Sequence, residues 1–150
     1  MTNVEDANDF AVQLQDYLRR ELPENIRTAQ ETIAFEALRS IMDRSPVGNP
    51  ALWKHPAPFG YVGGQFRGNW QLTLNQVTET PTNRIDPQGT VTLEAGSRVL
   101  QGLKPYDTVH IQNNLPYALR LEEGSWSSQA PQGMVAITVA DIRNAIVEVK

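Results

Sequence analysis

The chain has 150 residues, of which 40% are apolar and 20% charged, and this is the size and composition of one globular domain. It has no cysteine, which excludes disulfides, thiolate metal sites and a cysteine nucleophile. The net charge is −4 and basic residues are scattered singly, which argues against a nucleic-acid-binding protein. We expect a single domain over 1–150, with neither an export signal nor a membrane span.

The N-terminal part, 5–44, is predicted to be helical. Apolar residues at helical spacing indicate an amphipathic helix over about 5–21, and they are Phe10, Leu14, Tyr17 and Leu18. Pro23 is expected to end this helix and to start a second one. The second helix should end near Arg44, because the next residue precedes Pro46 and is biased away from helical conformation.

Residues 45–68 are predicted to form a long extended loop. This stretch holds four prolines and five glycines, which disfavour both helices and strand pairing. Long loops in compact domains are commonly functional, and this one carries Trp53, Phe59 and Tyr61. These aromatic residues either dock against a partner or fold back on their own domain.

Residues 69–150 are predicted to contain a sheet followed by a C-terminal helix. Alternating apolar and polar residues predict strands at 70–75, 90–94, 108–112 and 134–139, with the first two as antiparallel neighbours. Helical segments are expected over 97–100 and 114–123, and Thr138 with Asp141 resembles a capping box that opens the last helix. The predicted class is α+β, with two N-terminal helices and a C-terminal helix packed on a small, mainly antiparallel sheet.

The histidine and acidic residues of the sequence do not have the spacing that catalytic or metal sites need. His55 and His110 have no partner at ligand spacing, and the adjacent Glu122 and Glu123 would not face each other on a helix. The glycines at 60–64 lack the lysine and hydroxyl group of a phosphate-binding loop. We therefore expect no catalytic, cofactor-binding or metal site, and no enzyme activity.

Two stretches of the sequence are more distinctive than these residues. The first is SPVG at 45–48, followed after an insertion by GQFRGNW at 64–70. The second runs through GLKPYDT at 102–108, NNLPYA at 113–118, LEEG at 121–124 and QAPQGMV at 129–135. Together they resemble the small neck or tail-completion proteins of tailed bacteriophages and prophages, over roughly 45–150. The departures are Gly48, where the family pattern has aspartate, and the aromatic insertion before Trp70.

The resemblance implies a structural subunit of the phage head–tail connector, which assembles as a homo-oligomeric ring of six copies and joins a tail to a DNA-filled capsid. It implies neighbouring connector or head-closure proteins and tail-terminator or tail-tube proteins as partners, with DNA only as cargo. The location would be the virion, after assembly in the host cytoplasm. The alternatives are a tail-terminator or head-closure ring protein and, from a different class, a small-ligand-binding domain or an enzyme.

A ring of identical subunits needs two different complementary patches on each subunit. The loop aromatics are candidates for one patch, and the region of Tyr117, Trp126 and Met134 for the other. Arg67 and Arg120 are candidates to pair with Glu122 or Glu123, inside the subunit or across the joint. The complete set of candidate interface residues is Trp53, Phe59, Tyr61, Arg67, Arg120, Glu122, Trp126 and Met134.

Overall fold

The computed structural model describes residues 4–124 and 126–148. It confirms the predicted α+β class, with helices packed around a two-stranded antiparallel sheet. The helices are α1 (Val4–Asp16), α2 (Leu22–Arg44), α3 (Gln65–Gly68), α4 (Thr90–Leu100), α5 (Ala118–Glu122) and α6 (Val135–Glu148), and the strands are β1 (Trp70–Leu74) and β2 (Val109–Asn113). Among the helices of these ranges, none combines the length and apolar character that a membrane crossing requires.

The N-terminal helical path continues through the proline that was expected to interrupt it. Pro23 lies in the first turn of α2, as predicted, but a π-helical turn at Tyr17–Glu21 joins α1 to α2 without a break. Proline has no N–H group, and its ring clashes with the carbonyl four residues earlier in a regular α-helix. The wider turn relieves this clash, and the Leu22 N–H donates to the Tyr17 carbonyl instead.

Replacing Pro23 with Ala should convert the π-helical turn into α-helix, because the new N–H group can donate to the Arg19 carbonyl. We expect amide hydrogen exchange across 17–22 to slow by about tenfold, which corresponds to about 1.4 kcal/mol of local stabilisation. Hydrogen exchange with mass spectrometry measures this, and Gln15→Ala in α1 is the control. Unchanged exchange in the Pro23 variant would show that the proline does not cause the wider turn.

The core lies where α2 crosses the sheet, α4 and α6. Its most buried apolar side chains are Leu38, Met42, Leu100 and Met134, each 1% exposed. Gly96 lets α4 approach α2 closely, since an added Cβ there would lie 2.3 Å from a Leu38 methyl group. At the end of α2, Arg44 donates hydrogen bonds to Thr138 and Asp141 of α6.

The sheet confirms the strands predicted at 70–75 and 108–112. β1 and β2 are antiparallel neighbours, with Trp70 opposite Asn113 and Leu74 opposite Val109. The strand predicted at 90–94 is wrong, because these residues begin α4. The Asp86 carboxylate accepts hydrogen bonds from the N–H groups of Gly89 and Thr92, at 2.9 and 2.8 Å, and so caps the start of this helix.

The strand predicted at 134–139 is also wrong, because α6 already begins at Val135. Thr138 and Asp141 therefore lie inside this helix and bind Arg44 instead of forming a capping box. In the predicted loop 45–68, the structure has a 3-10 turn at Pro50–Leu52 and the short helix α3. The end of α2, this loop and the chain after β2 meet on one side of the molecule.

Candidate functional site: an aromatic groove beyond the end of α2

A groove with a cavity volume of about 490 Å³ lies directly beyond the C-terminal end of α2. The lining residues lie in the stretches 46–53, 61–66, 117–121 and 126–129. Five aromatic side chains contribute to its walls, and they are Trp53, Tyr61, Phe66, Tyr117 and Trp126. This volume lies within the range of small-molecule and cofactor sites, about 300–1,000 Å³.

The aromatic side chains contact one another in pairs. The ring centroids of Trp53 and Tyr61 are 4.8 Å apart, and those of Phe66 and Tyr117 are 6.0 Å apart. Tyr61 lies over Gly48, where an added Cβ would come within 1.9 Å of the tyrosine hydroxyl oxygen. A side chain at position 48 would therefore displace one wall of the groove.

Hydrogen bonds between distant parts of the chain hold the segments together. The Gln129 amide oxygen accepts from the Val47 N–H at 3.1 Å, and its amide nitrogen donates to the Val47 carbonyl at 3.0 Å. Ser45, at the end of α2, is buried, and its hydroxyl accepts from the Trp70 indole N–H at 2.7 Å. The groove is therefore built on a framework fixed to the core.

Arg67 belongs to this framework and does not pair with Glu122 or Glu123 in the subunit. Its guanidinium group donates to the backbone carbonyls of Pro87 and Ser45, at 2.7 and 2.9 Å. These bonds join the residues after α2 to the chain before α4. Arg67 thus has a structural role next to the groove.

Glu122 clamps the start of α6. Its carboxylate oxygens accept hydrogen bonds from the N–H groups of Met134, Val135 and Ala136, at 2.9, 2.9 and 3.0 Å. Backbone N–H groups in a first helical turn have no partner in the helix, and the helix dipole favours negative charge there. This clamp positions the segment that leads from α5 past the groove to α6.

The remaining candidate residues divide between the surface and the core. Trp126 is 62% exposed, and the guanidinium carbon of Arg120 lies 4.8 Å from its ring centroid, in a cation–π arrangement. Phe59 is fully exposed on the loop. Met134 is 1% exposed and packs in the core, so its side chain offers no surface to a partner.

Residues of both predicted patches meet in this one groove, while Phe59 and Met134 lie outside its lining. Trp53 and Tyr61 from the loop face Tyr117 and Trp126 across the same groove. This single surface cannot supply both halves of a head-to-tail joint. Sequence reasoning also missed Leu52, an exposed residue on the groove wall.

A second apolar surface lies on α1 and the π-helical turn, at the far end of the helical path from the groove. The amphipathic pattern of this segment was recognised, but the side chains that form its apolar stripe are exposed, by 41–65%, and they are Phe10, Leu14, Tyr17 and Leu18. Helical periodicity identifies an apolar face and carries no signal for what covers it.

Among the described residues that line the groove, none carries a formal charge. Burial raises the pKa of the Tyr117 phenol above its ordinary value, and the nearby Tyr61 phenol raises it further, so Tyr117 is neutral at physiological pH. His55 is exposed, His110 is half-buried on β2, and neither lines the groove. Within 4–124 and 126–148, there is no group of three or more histidine or acidic residues that could hold a metal ion. The groove has the character of a binding surface.

Comparisons with protein-family models, with curated proteins and with solved structures found no match to this chain.

Proposed function

We propose that this chain is a structural subunit of the head–tail connector of a tailed bacteriophage, a neck or tail-completion protein that assembles as a homo-oligomeric ring. In this role it joins a tail to a DNA-filled capsid at the head–tail junction of the virion. The observation that carries the proposal is the resemblance over 102–135, where the order and spacing of a long motif follow the family pattern.

Residues of this motif make specific hydrogen bonds that stabilise the fold, and this supports a resemblance that is not due to chance. The Asn113 side chain donates to the Phe66 carbonyl at 2.9 Å and so ties β2 to α3. Glu122 caps α6, and Gly133 has a φ of 77° and lies against the Glu122 carbonyl. The motif thus specifies a local framework that a related subunit would also need.

The exposed apolar surfaces also support an assembly role. Large exposed apolar patches on soluble proteins usually mark interaction sites. This chain exposes apolar residues on α1 and around the groove, while none of the described residues that line the groove is charged. A net charge of −4 suits a protein beside a DNA channel, because it avoids adhesion to phosphate.

The direct test is complementation of phage particles that lack this chain. We expect lysates of cells infected with phage that lack the gene for this chain to contain DNA-filled heads and separate tails of normal length. Addition of the purified protein should join these heads and tails into infectious particles. Tails of irregular length would instead favour a tail terminator, and heads that lose DNA would favour a head-closure protein. Normal infectivity without the chain would refute a connector role.

Surface variants connect this function to the groove. Phe59→Ala and Trp126→Ala should leave the fold intact and reduce joining by at least about tenfold, because interface aromatics commonly contribute 2 kcal/mol or more. Val77→Ala, at an exposed position that does not line the groove, is the matched control. Infectivity equal to that of the control in the Trp126 variant would remove the groove from the proposed joint. The same result for Phe59, which does not line the groove, would remove the loop around it.

A further inference from the structure

The arm, defined as α1 with the π-helical turn, presents an apolar stripe suited to a groove. Phe10, Leu14 and Tyr17 stand at positions i, i+4 and i+7, the spacing with which helices anchor in apolar grooves. All three side chains are exposed on the described surface of the chain. The stripe therefore needs a partner surface of apolar and aromatic character.

The groove of the same chain is out of reach of this stripe. The path from Phe10 to Arg44 is helical throughout, and at 1.5 Å per residue it is about 50 Å long. The groove begins at Pro46, immediately after this path ends. An arm can therefore enter a groove only if the groove belongs to another copy.

The charges on the two surfaces are complementary. The arm contains five acidic and two basic residues, a net charge of −3, and Asp6 and Asp9 are exposed beside the stripe. Residues 45–68 contain Lys54 and Arg67 and no acidic residue, and the exposed Arg120 stacks on Trp126 at the groove. Of the two acidic residues next to Arg120, Glu122 is bound to the N–H groups at the start of α6 and Glu123 is exposed, so the groove region has a net charge of about +1. Opposite charges around an apolar contact favour this pairing and disfavour arm-to-arm or groove-to-groove pairing.

We infer that the arm of one copy binds in the aromatic groove of a second copy. This inference rests on the proposed function as a ring subunit and names the two surfaces that such a ring requires. The contact joins two different surfaces, and repeating it from copy to copy yields a closed ring or a filament, whereas a reciprocal exchange between two copies would stop at a dimer. The shallower apolar depression that contains Ile33 and Val109 is the competing acceptor.

The natural chain has no cysteine, so single cysteines can report this contact without background. Full-length Phe10→Cys, carrying a size tag, is mixed with untagged Leu52→Cys, and the disulfide-linked heterodimer is measured on a denaturing gel. Val77→Cys replaces Leu52→Cys in the control, because the two positions have similar exposure, 62% and 67%. We expect at least about tenfold more heterodimer with Leu52→Cys than with Val77→Cys.

A charge reversal tests whether the opposite charges of the arm and the groove region contribute to the contact. Adding Asp6→Lys and Asp9→Lys to the Phe10→Cys chain should lower the cross-linking yield several-fold, and Lys54→Glu in the Leu52→Cys chain should restore part of it. Equal yields with Leu52→Cys and Val77→Cys, or preferential linkage of Phe10→Cys to Ile33→Cys, would overturn the inference. So would a yield that does not respond to either charge change.

The outcomes separate this inference from the proposed function. Specific cross-linking by a chain that fails to join heads to tails would leave the contact standing and remove the connector role. Successful joining of heads to tails by a chain that shows no specific cross-link would support the connector role and remove the contact between arm and groove.

Discussion

Replacing Gly64 with Ala is expected to lower the free energy of unfolding by about 3 kcal/mol or more. Gly64 has a φ of 110°, a conformation that residues with a Cβ rarely adopt. An added Cβ would also lie 2.4 Å from the Pro87 nitrogen and 2.7 Å from its Cα. The Asp86 N–H donates to the Gly64 carbonyl at 3.1 Å, so relief of the clash would pull apart two segments that pack together.

Gly60→Ala is the matched control for this substitution. Gly60 has a φ of 76°, but nothing lies within 4 Å of an added Cβ. It should therefore cost only about 1–2 kcal/mol, the penalty for the left-handed conformation. Chemical denaturation of both variants gives the comparison, and equal losses would mean that the contact with Pro87 contributes nothing.

Replacing Glu122 with Ala should lower the free energy of unfolding by about 2–3 kcal/mol, because three N–H groups at the start of α6 lose a charged acceptor. For a chain of this size we expect the melting temperature to fall by about 5–10 °C. Amide exchange at 134–136 should become faster. The direct readouts are calorimetry and hydrogen exchange on the full-length protein.

Two variants control this prediction. Glu122→Gln keeps the shape and one oxygen acceptor, and should cost about half as much as the alanine substitution. Glu123→Ala changes an exposed neighbour and should stay within about 0.5 kcal/mol of the natural chain. A loss at position 123 as large as that at 122 would show that any carboxylate near the start of α6, rather than the specific clamp, accounts for the effect.

The sequence allowed the fold class, the strands around Trp70 and Val109, and the helical segment before Gly124 to be predicted, because local spacing and turn residues specify them. The strands predicted to begin at Thr90 and Met134 were wrong, because a short alternation of apolar and polar residues also fits the first turns of a helix. Side chains outside those segments decide both cases. The Asp86 carboxylate accepts from an N–H group in the first turn of α4, and the Glu122 carboxylate accepts from N–H groups at the start of α6.

The individual aromatic residues of the groove were recognisable, but their arrangement was not. Trp53 and Trp126 share one groove because Gln129 binds the backbone of Val47, and Arg67 holds Ser45 and Pro87 together. These bonds join positions far apart in the chain, and no periodic pattern encodes them. The exposure of the arm was equally hidden, since an amphipathic helix has the same pattern whether its own domain or a partner covers it.

The π-helical turn at Tyr17–Glu21 holds about one residue more than the corresponding stretch of α-helix. One residue inserted into α2 after Pro23, with regular α-helical geometry kept, would rotate the arm by about 100° about the helix axis. The π-helical turn itself takes up its extra residue within one wider turn, so Phe10 and Leu14 keep nearly the same direction relative to the buried face of α2 as in a regular helix one residue shorter. A change of one residue in chain length therefore redirects the apolar stripe in the regular part of α2 but not at the π-helical turn.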